Sequence, residues 1–341
     1  MRIAQIAPLW ERVPPFRYGG IELIVSLLTD ELVRRGHEVT LFASGDSITN
    51  AQLKSVHDKA LRLDASVKEP GLYEQMMLFE VFHNAHHFDL IHSHVGCAAL
   101  PYTGFVTTPV VHTTHGIFTP DNEKMFRRFA WQPYVSISEA QREPRLGLNY
   151  VRTVYNGIDT SVYPFQAQPS QPAYLAFVGR ISPEKGPIEA ITIARAAGLP
   201  LKMAGKVDPV DREYYRDRVE PLIDGEQIQY LGEVTHEEKA QLLGGATVTL
   251  FPITWREPFG LVMIESMATG TPVIGMDLGS VPEVIAHGKT GFVCHSLEHM
   301  VEVIPHAIKI DRQACRDYAI EHFSVQSMTS EYEKVYEVLR G

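Results

Sequence analysis

Two carboxylates, Glu257 and Glu265, stand eight residues apart in the segment Trp255-Arg256-Glu257-Pro258-Phe259-Gly260-Leu261-Val262-Met263-Ile264-Glu265. A carboxylate pair in apolar surroundings first suggests glycoside hydrolysis. On a continuous helix, eight residues would set the two backbones about 12 Å apart and about 80° out of phase, which suits neither hydrolase geometry. Pro258 and Gly260 instead mark a tight turn that follows an apolar strand and opens a helix running through Met267 to near Gly270. The first amides of such a helix, near Leu261 and Val262, have no intrahelical acceptor and point out of its positive end, a site for an anion such as a diphosphate. Glu265, about a turn deeper, is placed to accept hydrogen bonds from vicinal hydroxyls such as those of a ribose, and Glu257 to meet the other end of the ligand. Taken alone, the two carboxylates also fit an exposed turn and an exposed helix face.

A second constellation makes the anion reading stronger. Gly179-Arg180-Ile181-Ser182-Pro183-Glu184-Lys185-Gly186 places two cations five residues apart just after an apolar strand. Ligands of open α/β sheets bind at such strand ends. A nucleoside diphosphate leaving group gains charge as its bond to a sugar breaks, and two fixed cations plus a helix N-terminus would stabilise that charge. A solvated loop has the same composition.

Other phosphate and metal signatures fail. Gly19-Gly20 does not complete a GxGxxG fingerprint, and Gly288-Lys289-Thr290 lacks the leading glycine of a P-loop because Glu283 stands there. Among fifteen histidines, His92 and His94 share one face of a strand and His86-His87 adjoin them, but no third ligand has metal-site spacing. Asp208-Pro209-Val210-Asp211 is not a DxD pair. No metal and no cofactor are expected.

The elements that must position these residues are legible from periodicity. Residues 3–8 form an apolar strand, a loop follows over 9–18, and Ile21, Ile24, Val25, Leu28 and Leu32 recur at helical spacing after Gly19-Gly20 before a second strand at 37–43. This is a βαβ unit with parallel strands. Further strands are expected at 89–94, 109–113 and 134–137, then at 174–178, 201–204, 228–231 and 247–252. At 341 residues the chain exceeds one hydrophobic core. Two α/β domains meeting at a cleft are expected, at 1–160 and 161–322, with a C-terminal helix at 323–341 packing back toward the first. The Pro-, Gln- and Ser-rich stretch 164–172 reads as the linker.

Subtracting 41 acidic from 31 basic residues gives a net charge of −10, which excludes a general nucleic-acid binder. Three cysteines, odd in number and lacking a CxxC pair, fit a reducing cytoplasm. No run of about 18 apolar residues is present to span a membrane.

Glu257 and Glu265 as E-x7-E, together with Gly270-Thr271-Pro272-Val273-Ile274, Gly291-Phe292-Val293, the Arg180 and Lys185 loop and Tyr155-Asn156-Gly157-Ile158-Asp159, resemble the large retaining glycosyltransferase family four of the GT-B fold. The resemblance runs from the Gly19-Gly20 loop to the C-terminal helix. The short length and the Pro14-Pro15-Phe16-Arg17-Tyr18-Gly19-Gly20 loop are similar to a small bacterial branch acting in antibiotic pathways and tetrahydrobiopterin glucosylation. The resemblance implies an α/β GT-B fold with two Rossmann-like, doubly wound parallel-sheet domains across a cleft. It implies that Arg180 and Lys185 bind the donor diphosphate, that Phe259, Gly260, Leu261 and Val262 bring backbone to phosphates and sugar, that Glu257 holds hexose hydroxyls and that Glu265 holds the ribose. His115, after a strand, matches the active-site histidine touching the transferred sugar. Gly19 and Gly20 would approach the donor phosphates from the first domain, and Gly205 and Val234 the base.

The expected partners are a nucleotide diphosphate sugar, UDP-glucose by analogy, and a small-molecule or glycan acceptor. UDP-N-acetylglucosamine and GDP-mannose are the alternative donors, and a phosphorylase or epimerase of the same fold is the alternative chemistry. Trp10, Phe16 and Tyr18 are the expected acceptor wall. Phe126, Arg127, Arg128, Phe129 and Trp131 mix cations and aromatics as a lipid-docking segment would, but a helix packing its aromatic face inward is the preferred reading.

Overall fold

The structure, a computed structural model, describes residues 1–16 and 19–341, so the expectation placed on Tyr18 lies outside the described residues. It divides into two compact units, one of Met1–Gly157 with Val325–Gly341 and the other of Ile158–Ser324.

The first unit is built on a seven-stranded sheet whose neighbours all run parallel. Its strands are β1 (Arg2–Ile6), β2 (Glu38–Phe42), β3 (Gln52–Lys54), β4 (Leu90–Ser93), β5 (Val110–Thr114), β6 (Tyr134–Ser136) and β7 (Tyr150–Thr153). They lie in the order β3-β2-β1-β4-β5-β6-β7, with β1 pairing Ile3 to Val39 on one side and to Leu90 on the other. Ala4, Ile6 and Ile91 point into a core with Met77, Leu78, Val81 and Phe82 of the helix Pro70–His83. The opposite face carries Gln5, His92 and Thr113 against Tyr332 and Tyr336 of the helix Val325–Arg340. That helix is clamped from outside by Arg35, whose guanidinium lies 2.5 Å from Glu333, and by His37, 3.0 Å from the same carboxylate.

The second unit carries a six-stranded parallel sheet of β8 (Leu175–Val178), β9 (Leu201–Ala204), β10 (Ile228–Tyr230), β11 (Val248–Phe251), β12 (Val273–Met276) and β13 (Gly291–Cys294). The order β10-β9-β8-β11-β12-β13 repeats the pattern of the first sheet. Leu175, Phe177, Leu201, Met203, Val248, Leu250 and Ile274 bury against the helices Pro187–Ala197 and Leu297–Ala307. In each sheet the strand order reverses beside the first strand, between β1 and β4 and between β8 and β11, the place where open α/β sheets accept ligands.

The stretch at 164–172, linker-like by composition, is instead fixed to the second unit. Gln166 N donates to Thr269 O at 3.0 Å, Ser170 N to Gly245 O at 2.9 Å, and Arg312 Nε to Gln166 O at 2.6 Å. Its prolines lack backbone donors, and the three bonds just named tie the segment to the ends of the helices beneath it. Phe126 is buried in a cluster with Leu100, Tyr134, Leu146 and Leu148, so the aromatic segment near it turns Phe126 inward, while Trp131 is exposed. No helix among the described residues is long and apolar enough to cross a membrane.

Candidate active site

In the second unit the two sequence motifs fall on either side of the strand-order reversal. The Arg180 and Lys185 loop follows β8, and the Glu257 turn follows β11. Lys185 Nζ lies 2.5 Å from Glu257 Oε2, and Trp255 Nε1 donates to the same oxygen at 2.8 Å. The Lys185 ammonium also sits 5.0 Å from the centroid of the Trp255 ring. Glu257 is 7% exposed, so it is neither a surface carboxylate nor an unpaired buried one. Ser280 N donates to Glu257 O at 3.0 Å and Ser280 Oγ to Phe259 O at 2.7 Å, which pins the turn from behind. Gly279, at φ +58°, permits that approach, since a Cβ there would stand 2.3 Å from Glu257 O.

The turn ends at Gly260, whose φ of +80° is left-handed, and the helix Leu261–Ala268 begins. Its first amides face the loop side, as the sequence requires. The Phe259 side chain is 2% exposed and meets Phe323 edge-on, so this residue anchors the joint and only its backbone is available to a ligand. Glu265 is 3% exposed and accepts from Lys239 Nζ at 2.6 Å and from Tyr163 Oη at 2.8 Å on the same oxygen. Burial, followed by the Glu265 charge, pushes the Tyr163 hydroxyl far above the ordinary phenol range, so it stays a donor. Neither Lys239 nor Tyr163 was visible as a site residue in the sequence; Tyr163 is 102 residues from its partner.

Arg180 forms an ion pair with Glu184 and lies 3.5 Å from Asp208, which Lys206 also holds at 2.8 Å. Burial raises the Asp208 pKa, but Lys206 and Arg180 outweigh it and hold the carboxyl below its usual value. The loop cations are thus both paired with carboxylates, Arg180 with Glu184 and Asp208 and Lys185 with Glu257. Gly205 closes this region: its N donates to Gly232 O at 2.8 Å, its carbonyl accepts from Tyr230 Oη at 2.6 Å, and a Cβ would stand 1.7 Å from Gly179 O. Val234 and Val262 pack on one cluster with Tyr174, Ala204 and Leu242.

In the first unit, Gly19 at φ +151° caps the helix Gly20–Arg34, and a Cβ there would stand 2.7 Å from Pro15 Cβ. Glu22, one turn in, is raised to about 7, chiefly by burial. His115 follows β5, and its Nε2 lies 2.9 Å from His94 Nδ1. His94 Nε2 in turn meets Gln5 Oε1 at 2.9 Å, Gln5 Nε2 donates to Tyr336 Oη at 3.2 Å, and Tyr336 Oη lies 2.7 Å from His92 Nδ1. Burial holds His115 down at about 4 and His94 well below the ordinary imidazole value, with His92 and His115 adding to the latter. Both rings are neutral at pH 7. Of the four histidines considered as metal ligands, His92 and His94 are thus members of one hydrogen-bonded chain with Gln5, His115 and Tyr336, while the rings of His86 and His87 lie against each other at 4.0 Å between centroids.

A cavity of about 270 Å³ opens beside His115, lined among others by Trp10, Ile21, Glu74, Met77 and Leu78. Of the expected acceptor residues, Trp10 reaches it, while Phe16 lies outside it under the Arg12 guanidinium, 3.8 Å from the ring centroid. Glu74, Met77 and Leu78 come from the helix Pro70–His83 and were not among the expected site residues.

Two Rossmann-like parallel sheets with the same strand order give the protein the GT-B fold of glycosyltransferases. Residues 18–162 match the model of Glycosyltransferase Family 4 and residues 162–322 that of Glycosyl transferases group 1. The two glycosyltransferase domains together span residues 18–322 of the chain. It is 24% identical to the glycogen synthase of Mycobacterium tuberculosis over 346 residues, spanning 86% of this chain and 82% of the relative. It is 31% identical to the alpha-maltose-1-phosphate synthase of Mycolicibacterium smegmatis over 186 residues, 47% of this chain and 48% of that one. Among solved structures, AviGT4, a glycosyltransferase involved in avilamycin A biosynthesis, superposes with a TM-score of 0.75 at 24% identity, covering 99% of this chain and 98% of AviGT4. HepE of Anabaena, solved with UDP and glucose, superposes with a TM-score of 0.76 at 18% identity over 99% and 100% of the chains.

Proposed function

We propose that the protein transfers a hexose, with retention of anomeric configuration, from a nucleotide diphosphate sugar to the hydroxyl of a small acceptor. The observation that carries this reading is the joint between β11 and the helix Leu261–Ala268, where the Lys185 ammonium and the Glu257 carboxylate meet at 2.5 Å beside a helix N-terminus. Arg180, Lys185 and the amides of Gly260, Leu261 and Val262 take the diphosphate, Glu257 takes sugar hydroxyls, and Glu265 with Lys239 and Tyr163 takes the ribose. Gly205 and Val234 serve the base, and Gly19 and Gly20 the phosphates. UDP-glucose is the proposed donor, supported by the UDP and glucose bound to HepE of the same fold.

The chemical step needs no protein nucleophile. The bond from the anomeric carbon to the phosphate oxygen breaks as the acceptor oxygen approaches the same face, and the departing phosphate oxygen takes the acceptor's proton. The cations lower the energy of that departing charge, and His115 stands against the transferred sugar. Three unpaired cysteines, two of them buried, support a reducing cytoplasmic setting.

The test is radiolabelled or mass-detected transfer from UDP-glucose in the wild type and in Lys185→Ala and Glu257→Ala. Both variants should fold and lose turnover by about 100-fold or more. Near-normal turnover in both would defeat the reading.

A further inference from the structure

The cavity beside His115 has mostly apolar walls, Pro8, Trp10, Ile21, Met77, Leu78 and Ala98 among them, and among the described residues no lysine or arginine lines it. Its polar groups are few, and the hydrogen-bond chain behind it decides what they offer. Gln5 donates its Nε2 to Tyr336, so Gln5 Oε1 is the acceptor for His94 Nε2–H. A neutral His94 carrying its proton on Nε2 has a lone pair on Nδ1, which must accept from His115 Nε2–H. The proton of neutral His115 is therefore on Nε2, and its Nδ1 is an acceptor for which the described residues supply no donor. Gln5 and His94 are buried at 0% and 2% exposure, so water does not compete for these bonds.

Glu74, the one carboxylate among the described wall residues, has no protein hydrogen bond or ion pair among them, and burial alone raises its pKa. A half-buried carboxylate without a partner gains most from a cation or an N–H donor and repels an anion.

We infer that this cavity is the acceptor site and that it selects a compact, apolar-bodied alcohol carrying a second hydrogen-bond donor or a positive charge, with His115 Nδ1 and Glu74 as paired acceptors, and that it rejects phosphorylated or carboxylated acceptors. A volume of about 270 Å³ accommodates a body of one or two rings, below the usual range for drug-sized pockets and too small for an oligosaccharide. A phosphorylated acceptor would meet the Glu74 carboxylate, with no lysine or arginine among the described wall residues to offset the repulsion. The inference deepens the proposed transferase reading and rests on it for the word acceptor.

The experiment uses the full chain, with and without saturating UDP, and two isosteric probes, 4-(aminomethyl)benzyl alcohol and 4-(hydroxymethyl)benzoate, with affinities read by calorimetry. The amine should bind about tenfold or more tightly than the carboxylate. In Glu74→Gln the two should converge, with UDP affinity unchanged. Nitrogen-15 spectra of histidine-labelled protein should show His115 Nδ1 unprotonated at pH 7 and shifted by the amine probe, with Gln5→Leu disturbing that signal. Equal or tighter binding of the carboxylate, a preference surviving Glu74→Gln, no binding of either probe, or a protonated Nδ1 each overturns the inference. Failure to bind UDP while the probe preference holds would instead defeat the donor reading and leave the cavity's chemistry standing.

Discussion

Lys185 Nζ and Glu257 Oε2 are 2.5 Å apart, so the cation assigned to the leaving group and the carboxylate assigned to the sugar form one ion pair. Their backbones are 72 residues apart and meet because β8 and β11 are neighbours in the sheet. Each charge holds the other where the ligand arrives, and the indole of Trp255 limits the exit of both.

The pair should behave as a unit. Lys185→Ala and Glu257→Ala are each expected to cut turnover by about two to three orders of magnitude, and the double variant by little more than the worse single one. A double-mutant cycle on steady-state rates checks this, and simple additivity would mean that the two side chains act separately.

Glu265 is expected to serve the ribose only while Lys239 and Tyr163 hold it. Lys239→Met leaves a buried carboxylate without its cation and should cost about 3 kcal/mol of stability. UDP affinity should drop about tenfold, because the carboxylate turns from its ligand-facing position. Denaturation by urea and calorimetry with UDP read the two effects, and intact UDP affinity would remove Glu265 from the nucleotide site.

Acid should destabilise the first unit at mildly low pH. His112 is held at about 3 and His115 at about 4, both by burial, against an ordinary value of 6.5. Below pH 6.5 the unfolded chain takes up protons that the folded one refuses, so stability is full above that pH and falls as pH drops toward 4 and then 3. At pH 5.5 each such histidine should cost about 1.4 kcal/mol. Urea midpoints at pH 7.5 and 5.5 measure the loss, and His112→Phe should reduce it by that share.

Gly205→Ala places a methyl 1.7 Å from Gly179 O and Gly186→Ala one 2.0 Å from Pro252 O. Backbone cannot yield as a side-chain tip does, so both variants should lower Tm by several degrees, and Gly205→Ala should also weaken UDP binding by moving the Arg180 loop. Gly104→Ala, with nothing within 4 Å, is the control and should leave both unchanged.

Much of this molecule could be read from short-range pattern. The strands at 201–204 and 228–231 and the helix after Gly20 carry their periodicity within a few residues, and the structure sets them at Leu201–Ala204, Ile228–Tyr230 and Gly20–Arg34. β3, β7, β12 and β13 escaped: β3, β7 and β13 are edge strands, partly exposed and without clean alternation, and β12 is a four-residue run interrupted by Gly275. Arg180, Lys185, Glu257 and Glu265 were visible because each motif lies within one turn. Lys239, Tyr163, Gly279 and Glu74 were not, since their roles arise from neighbours brought in by the sheet, and a lone lysine in an acidic helix or a glutamate in an apolar one has no local signature.

The first unit is discontinuous along the chain, since its buried Tyr332 and Tyr336 come from Val325–Arg340 while the second unit is the unbroken stretch between. During synthesis at about 5–20 residues per second, the downstream half can finish folding before the upstream half acquires its last helix. Until then Gln5, His92 and Thr113 stand exposed on an uncovered sheet face, so burial of β1, β4 and β5 on this side waits on a helix made some two hundred residues or more later.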